Sequence, residues 1–334
     1  MSAEVGADLS GMEFSRQYAP SFAEGTVTRG RMLFWATLYG ADGEPLVKGD
    51  RTNRSIPELL MKGPVYAAMD LADTDEKREF LRRAHPIFFM PLERSGIDPF
   101  KEKFPLTLRY EGTMRGTGGL RLTSNDCATT VAGLYAAGDA ATREKVTGAI
   151  SGGGAYNASW AICSGDWAGE GAARYALSQP RKADNRQLVA AGHYGMAAGA
   201  DSSAKLEVQP LITAIQDQIL PLKINYFRNE PGISAALNEL NALVPQLKGQ
   251  APATVQGIVK SREAAAMLTV GRWMYTAALA RTESRGLQKM AEYPLLDPSQ
   301  THRLILSGID HISISTESVP HAHELNALKE GHAV

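Results

Sequence analysis

The residues best suited to chemistry lie between positions 133 and 172, where an acidic turn and a glycine-rich turn precede a long helix. Residues 134–137 are apolar and predict a buried strand, which Gly138 and Asp139 end in a tight turn. Ligands of open α/β sheets bind in the crevice at the carboxyl ends of the strands. A carboxylate in that crevice accepts hydrogen bonds from sugar-like hydroxyl groups, so we expect Asp139 to face a ligand.

The second feature is the glycine-rich segment 148–154, which opens directly into a helix predicted over residues 155–175. Glycines allow positive φ and a close approach of the backbone to a ligand. The free N–H groups and the positive dipole end of a helix start stabilise negative charge. Close packing of the helix on a sheet would explain the same glycines, since Ala155, Ser159 and Cys163 are small and recur every four residues. From the residues alone, both interpretations stay open.

Taken together, TTVAGLYAAGDA and GAISGGGAYNASWAICSGDWAGEGAA resemble the C-terminal FAD-binding segment of the succinate dehydrogenase/fumarate reductase flavoprotein family. That family also includes L-aspartate oxidase and the flavoprotein of adenylylsulfate reductase. GADLSGMEFSRQY, GPVYAAMDL and RTESRGLQKMAEYP extend the resemblance over most of residues 5–300. The resemblance implies an FAD-dependent oxidoreductase that transfers hydride between the flavin and a small anionic substrate of the carboxylate type.

The resemblance also implies which residues hold the cofactor. Asp139 takes the place of the acid on the ribityl chain, and Asn157 falls beside the flavin pyrimidine edge. The full implied set of FAD-binding residues is Gly118, Gly119, Gly138, Asp139, Gly153, Gly154 and Asn157.

Two arginines are the candidates for catalysis. Members that handle succinate or fumarate have a substrate-binding histidine just before the paired glycines, and residues 112–117 contain none, although Arg115 could bind an anion there. Arg54 falls at about the place of the family's proton-shuttling arginine, a role that suits the planar guanidinium. A surface position at a helix start explains Arg54 equally well. We predict Arg54 and Arg115 as the catalytic residues, and the missing histidine counts against succinate and fumarate as substrates.

The family's first FAD segment, a strand–G-x-G-x-x-G–helix unit with a later acid, has no counterpart in this sequence. We expect a split or partial flavoenzyme whose partner is a second polypeptide carrying the N-terminal FAD-binding half, or an electron-transfer subunit. The alternatives are a non-catalytic interaction or scaffold subunit, or a cofactor-free remnant of the family.

The predicted fold class is α/β with an α+β capping domain, the C-terminal part of a Rossmann-like FAD-binding domain, and a C-terminal helical domain. Strands are predicted at 32–39, 65–71 and 106–110, and helices at 75–84, 229–248 and 256–281. The predicted domains are a capping portion at 1–104, the FAD-binding part at 105–178, a linker at 179–204, a helical domain at 205–315 and a tail at 316–334.

Composition excludes several other classes of protein. A formal net charge of −1 argues against a nucleic-acid surface. Two isolated cysteines provide no disulfide framework, and His321 and His323 lack further ligands nearby, so we predict no metal site. The sequence shows neither a secretory signal nor the roughly 20 apolar residues of a membrane span, and we expect a cytoplasmic protein.

Overall fold

The computed structural model describes residues 1–48, 55–150, 153–179, 208–247 and 254–319. These residues form two compact units. One unit is the continuous segment 17–111, and the other combines residues 1–16 with the chain from residue 112 onward.

The strands are β1 (Leu9–Ser10), β2 (Tyr18–Phe22), β3 (Thr37–Tyr39), β4 (Pro45–Lys48), β5 (Val65–Ala68), β6 (Phe104–Tyr110), β7 (Gly119–Leu120), β8 (His302–Ser307) and β9 (Ser313–Ser318). The α-helices are α1 (Ile56–Lys62), α2 (Asp75–Ala84), α3 (Pro86–Arg94), α4 (Gly112–Arg115), α5 (Glu144–Thr147), α6 (Gly153–Ser178), α7 (Val208–Ile219), α8 (Glu230–Leu247) and α9 (Val255–Ala280). The predicted mixed α/β class is confirmed.

The unit 17–111 is built on an antiparallel five-stranded sheet with the order β2-β6-β5-β3-β4. Its apolar core includes Phe22, Phe88 and Phe104, whose rings meet edge to face. The helix predicted at 75–84 is confirmed as α2, and Thr74 caps it by accepting a hydrogen bond from the Lys77 N–H. The predicted capping portion, residues 1–104, overlaps this unit over residues 17–104, and its boundaries stay predictions.

The strand predicted at 32–39 is wrong over most of its length. Residues Gly30–Trp35 form a 3₁₀-helix, and β3 covers Thr37–Tyr39 alone. Met32 and Leu33 are both buried within this 3₁₀-helix. The other two predicted strands are present, one shorter as β5 and one longer as β6.

The second unit contains an antiparallel sheet with the order β7-β1-β8-β9. Beside it, α7, α8 and α9 pack on one another through buried side chains such as Ile215, Leu240 and Leu268. The helices predicted at 229–248 and 256–281 are confirmed as α8 and α9. The prediction of helix up to residue 315 and of a tail from 316 is wrong where β8 and β9 form a hairpin. Most of the predicted linker, 179–204, lies outside the described residues.

Residues 134–137 differ from the predicted buried strand. They make one isolated bridge, between Tyr135 and Ala128, before the 3₁₀ turn Gly138–Ala140. A ladder needs strands on at least one side, and among the described residues the bridge to Ala128 is the pairing that this segment makes. The long helix that follows is confirmed, as α6.

None of the helices in the described ranges is both long and apolar enough to cross a membrane.

Replacing Phe104 by alanine tests the core of the unit 17–111. The side chain is fully buried between Phe22 and Phe88, so Phe104→Ala should lower the free energy of unfolding by about 3–5 kcal/mol. Urea unfolding of the full chain measures this change. The matched control is Phe80→Ala, because Phe80 is 65% exposed and its loss should change stability by no more than about 0.5 kcal/mol. Equal effects of the two substitutions would contradict the assignment of this core.

Candidate functional site

The centre of the candidate site is the side chain of Arg143, which is 1% exposed. Its Nη1 donates to Asp139 Oδ1 over 2.8 Å, and its Nε donates to the carbonyl of Gly116 over 2.8 Å. Its Nη2 donates to the carbonyls of Thr113 and Met114. One guanidinium therefore ties the segment around α4 to the turn that carries Asp139.

Asp139, the predicted ribityl acid, lies in the 3₁₀ turn that follows residues 134–137. Its side chain is 54% exposed, so the carboxylate has room to accept a ligand hydroxyl while Oδ1 holds Arg143. The ribityl contact itself stays a prediction.

Gly138 fixes this turn to the long helix. Its N–H donates to Ser164 Oγ and its carbonyl accepts from Trp160 Nε1, both over 2.9 Å. Its φ of 58° lies in the left-handed region, which glycine adopts without strain. A Cβ there would come no nearer than 3.9 Å to another described atom, the Cβ of Ala161, so conformation and not crowding requires the glycine.

Gly118 and Gly119 are crowded by the chain's own backbone. A Cβ at Gly118 would lie 2.6 Å from the carbonyl oxygen of Gly11, and one at Gly119 would lie 2.8 Å from that of Ala140. Close packing within the unit therefore accounts for both glycines. Their predicted approach to a flavin stays a prediction.

The start of α6 carries the predicted residues Gly153, Gly154 and Asn157. The two glycines form its first turn. Asn157 is half-buried, and its Oδ1 is buried without a hydrogen-bond partner among the described residues. Since buried acceptors are rarely left unpaired, this oxygen needs a donor that the described residues do not supply. An FAD whose flavin carries a ring N–H fits such a group.

Thr117 connects the two halves of the site. Its hydroxyl donates to the carbonyl of Ile150 over 2.9 Å and lies 3.0 Å from the hydroxyl of Thr147. The segment leading to Gly118 is thereby held against the residues that precede the glycine-rich turn.

Of the two predicted catalytic arginines, Arg115 lies within the described residues and Arg54 does not. Arg115 is half-buried at the last position of α4, in the segment that Arg143 holds. Arg54 lies outside the described residues. Neither catalytic role is tested by these observations.

Sequence reasoning missed a buried ionic cluster beneath this site. Arg281 Nε donates to Glu13 Oε1 over 2.8 Å, and the two side chains are 1% and 0% exposed. Arg281 also bonds Glu283 and the carbonyls of Gln300 and His302. No periodicity or local spacing reveals this pair, because its members are far apart in sequence.

Two carboxyl groups of this region have perturbed acidity. Burial raises the pKa of Glu13 to about 7, outweighing the attraction of Arg281, and the negative charge of Glu144 acts in the same direction as burial. Burial also raises the pKa of Glu144, against the hydrogen bonds from Ser10 and Thr142. Within the described ranges, no three histidine, cysteine or acidic side chains cluster as metal ligands would.

Comparison with known proteins agrees with the resemblance read from the sequence. Residues 217–322 match the family described as fumarate reductase flavoprotein C-term. L-aspartate oxidase of Rhodospirillum rubrum is 26% identical over 232 residues, which cover 66% of this chain and 69% of that protein.

Solved structures show the same fold. Quinol fumarate reductase FrdA of E. coli superposes with a TM-score of 0.73 at 18% identity, over 96% of this chain and 60% of that one. The Mycobacterium smegmatis Sdh1 complex gives 0.72 at 20%, over 98% and 60%, and adenylylsulfate reductase of Archaeoglobus fulgidus gives 0.68 at 18%, over 96% and 61%. The chain thus spans about three fifths of the length of these solved chains.

The raised pKa of Glu13 predicts a pH dependence of stability. The folded state holds the Glu13 proton up to about pH 7, whereas the ordinary pKa is 4.5. Its contribution is therefore fully present below pH 4.5 and is lost as the pH rises through about 7, by at most about 3 kcal/mol. Chemical unfolding of the wild type and of Glu13→Gln, from pH 4.5 to 8, measures this loss.

The Glu13→Gln variant should lack that decline, because glutamine does not titrate. The exposed Glu58 provides the control, and Glu58→Gln should follow the wild-type curve. Parallel curves for wild type and Glu13→Gln would show that Glu13 is ionised in the folded state throughout this range.

Proposed function

Because this chain is similar to the succinate dehydrogenase/fumarate reductase flavoproteins, we propose that it forms the isoalloxazine side of an FAD-dependent oxidoreductase site. One observation carries the proposal. The turn of the half-exposed Asp139 is fastened to α6 through Trp160 and Ser164, and Asn157, one helical turn before Trp160, has a buried acceptor without a partner among the described residues. A half-exposed acid and an amide oxygen without a partner among the described residues therefore belong to the same corner of the fold.

The residues of this corner have complementary tasks in the proposed reaction. FAD, when bound, supplies the hydride acceptor or donor. Asp139 accepts hydrogen bonds from the hydroxyl groups of the ribityl chain. With FAD bound, Asn157 would accept a ring N–H, and the N-terminus of α6 would stabilise negative charge on the flavin pyrimidine edge.

For the substrate, we propose a small anion of the carboxylate type. Arg115 is its proposed binding residue, and Arg54 is proposed to deliver the proton, since a guanidinium holds a carboxylate through two parallel hydrogen bonds. Residues 112–117 contain no histidine, so we do not propose succinate or fumarate in particular. The proteins similar to this chain include an L-aspartate oxidase and an adenylylsulfate reductase. Because these names indicate different substrates, a different small acid is compatible with the similarity.

We further propose that a dinucleotide-binding half, carried by a second polypeptide, packs on the outer face of α6. Ile162 is 73% exposed on this helix. A Cβ at Gly165 or Gly169 would meet no described atom within 4 Å. An exposed apolar helix face with small residues is suited to close contact with a sheet. An electron-transfer subunit is the second partner that we propose.

The competing proposal is a non-catalytic interaction subunit or a cofactor-free remnant. The structure offers one specific argument for it. Gly118 and Gly119 are required by packing inside the chain, and Asp139 already has a partner in Arg143, so these residues have structural reasons to be present without a flavin.

The visible spectrum of the purified protein separates the two proposals. We expect flavin absorbance after reconstitution with FAD, in the chain alone or together with a dinucleotide-binding partner. Asp139→Asn and Asn157→Ala should each weaken FAD retention by about tenfold or more, as expected for the loss of one hydrogen bond to a buried or charged group. Asp217→Ala, at an exposed position of α7, is the control and should bind as the wild type does. Failure of every preparation to hold FAD would favour the non-catalytic subunit.

The proposed partner face is tested by a single added charge. Ile162→Glu should abolish or strongly weaken association with the dinucleotide-binding polypeptide, because the carboxylate would be buried without a partner. Val255→Glu is the matched control, since Val255 is 80% exposed on α9. Sedimentation velocity of the mixed polypeptides reads out the complex, and association of Ile162→Glu at wild-type strength would remove this face from the interface.

A further inference from the structure

The buried guanidinium of Arg143 has an unusual set of partners. Each of its three nitrogens donates a hydrogen bond, yet Asp139 is the one charged group among the acceptors identified, and the others are main-chain carbonyls. The side chain of Arg143 is 1% exposed, whereas the Asp139 carboxylate that neutralises it is 54% exposed. An excess of positive charge therefore remains inside the unit. Carbonyl dipoles stabilise that charge but do not cancel it.

The positions of the three carbonyls show what the side chain does mechanically. Thr113, Met114 and Gly116 belong to α4 and the turn after it, a segment too short to be stable as an isolated helix. Arg143 binds the carbonyls that this segment exposes and bonds Asp139 at the same time. The distance between the acid and the segment that carries Arg115 is therefore set by one rigid, planar group.

We propose that Arg143 is the positioning residue of the flavin corner: it locks segment 112–117 to Asp139, and its buried charge favours electron-rich groups bound beside that segment. This inference rests on the proposed flavin function and deepens it. A lysine cannot replace Arg143, because an ammonium lacks the planar fork that reaches several acceptors at fixed angles. Asp139 then has two tasks, since one oxygen orients Arg143 while the other remains available to the cofactor.

The test compares Arg143→Gln, Arg143→Lys and the control Arg272→Gln in the full chain. Arg272 is another buried arginine, 6% exposed, that bonds one side chain and two carbonyls. It therefore controls for the general cost of removing a buried guanidinium. Three quantities are measured for each variant: amide hydrogen exchange of residues 112–117 without added cofactor, FAD affinity, and the midpoint potential of bound FAD.

We expect Arg143→Gln to raise the exchange rates of residues 112–117 by about tenfold, and to weaken FAD binding to a similar degree, as for one lost charged hydrogen bond. The midpoint potential of FAD bound to Arg143→Gln should become more negative, because the positive charge of Arg143, which favours the reduced flavin, is gone. Arg143→Lys should loosen the segment in the same way but keep the potential close to the wild-type value. Arg272→Gln should change none of the three.

The possible failures are distinguishable. If the wild type never binds FAD, the proposed function fails, and the exchange comparison still decides whether Arg143 holds the segment. Unchanged exchange of residues 112–117 in Arg143→Gln overturns the inference with or without FAD. Increased exchange with wild-type affinity and potential also overturns it, because Arg143 would then be a structural residue with no influence on the cofactor.

Discussion

The unit that carries the candidate site depends on the buried ion pair between Glu13 and Arg281. The Glu13 and Arg281 side chains are 0% and 1% exposed, and a buried guanidinium left without a partner costs far more than a lost surface contact. Arg228 adds to this constraint, because its Nη1 donates to the carbonyl of Glu13 and to Gln288 Oε1. The first residues of the chain, the end of α9 and the segment after it must therefore come together as one assembly.

The candidate site inherits its shape from that assembly. The backbone of residues 11–14, which Glu13 holds in place, packs directly against Gly116 and Gly118. A Cβ at Gly116 would be 2.3 Å from the carbonyl oxygen of Phe14, and one at Gly118 would be 2.6 Å from that of Gly11. Above these glycines, Arg143 closes the arrangement by bonding segment 112–117 and Asp139. The buried Glu13–Arg281 pair thus supports the backbone against which Gly116 and Gly118 pack. The helix α6 holds the turn of Asp139 through Gly138.

The elements and site residues that the sequence predicts correctly are those whose signal lies in neighbouring residues. The helices α2, α8 and α9 follow from apolar periodicity and end signals, and the local sequence indicates an acidic turn and a glycine-rich segment before the long helix α6. The 3₁₀-helix at Gly30–Trp35 was mistaken for a strand because its apolar run has no clear period. Residues 134–137 read as a strand, but strand formation needs neighbours that local sequence does not supply. Arg143 escaped notice because most of its partners are carbonyls, which every residue possesses.

The sheet of β7, β1, β8 and β9 has a consequence for the order of events during synthesis. Ser307 donates to Asp8 across a separation of 299 residues, and β1 pairs with β8. Nearly the whole described chain must therefore be synthesised before β1 can pair with β8. The continuous unit 17–111 needs no later residue to complete its own sheet. It is free to fold first. The strand β1 can pair with β7 soon afterwards, but its pairing with β8 must wait until that distant strand has been made.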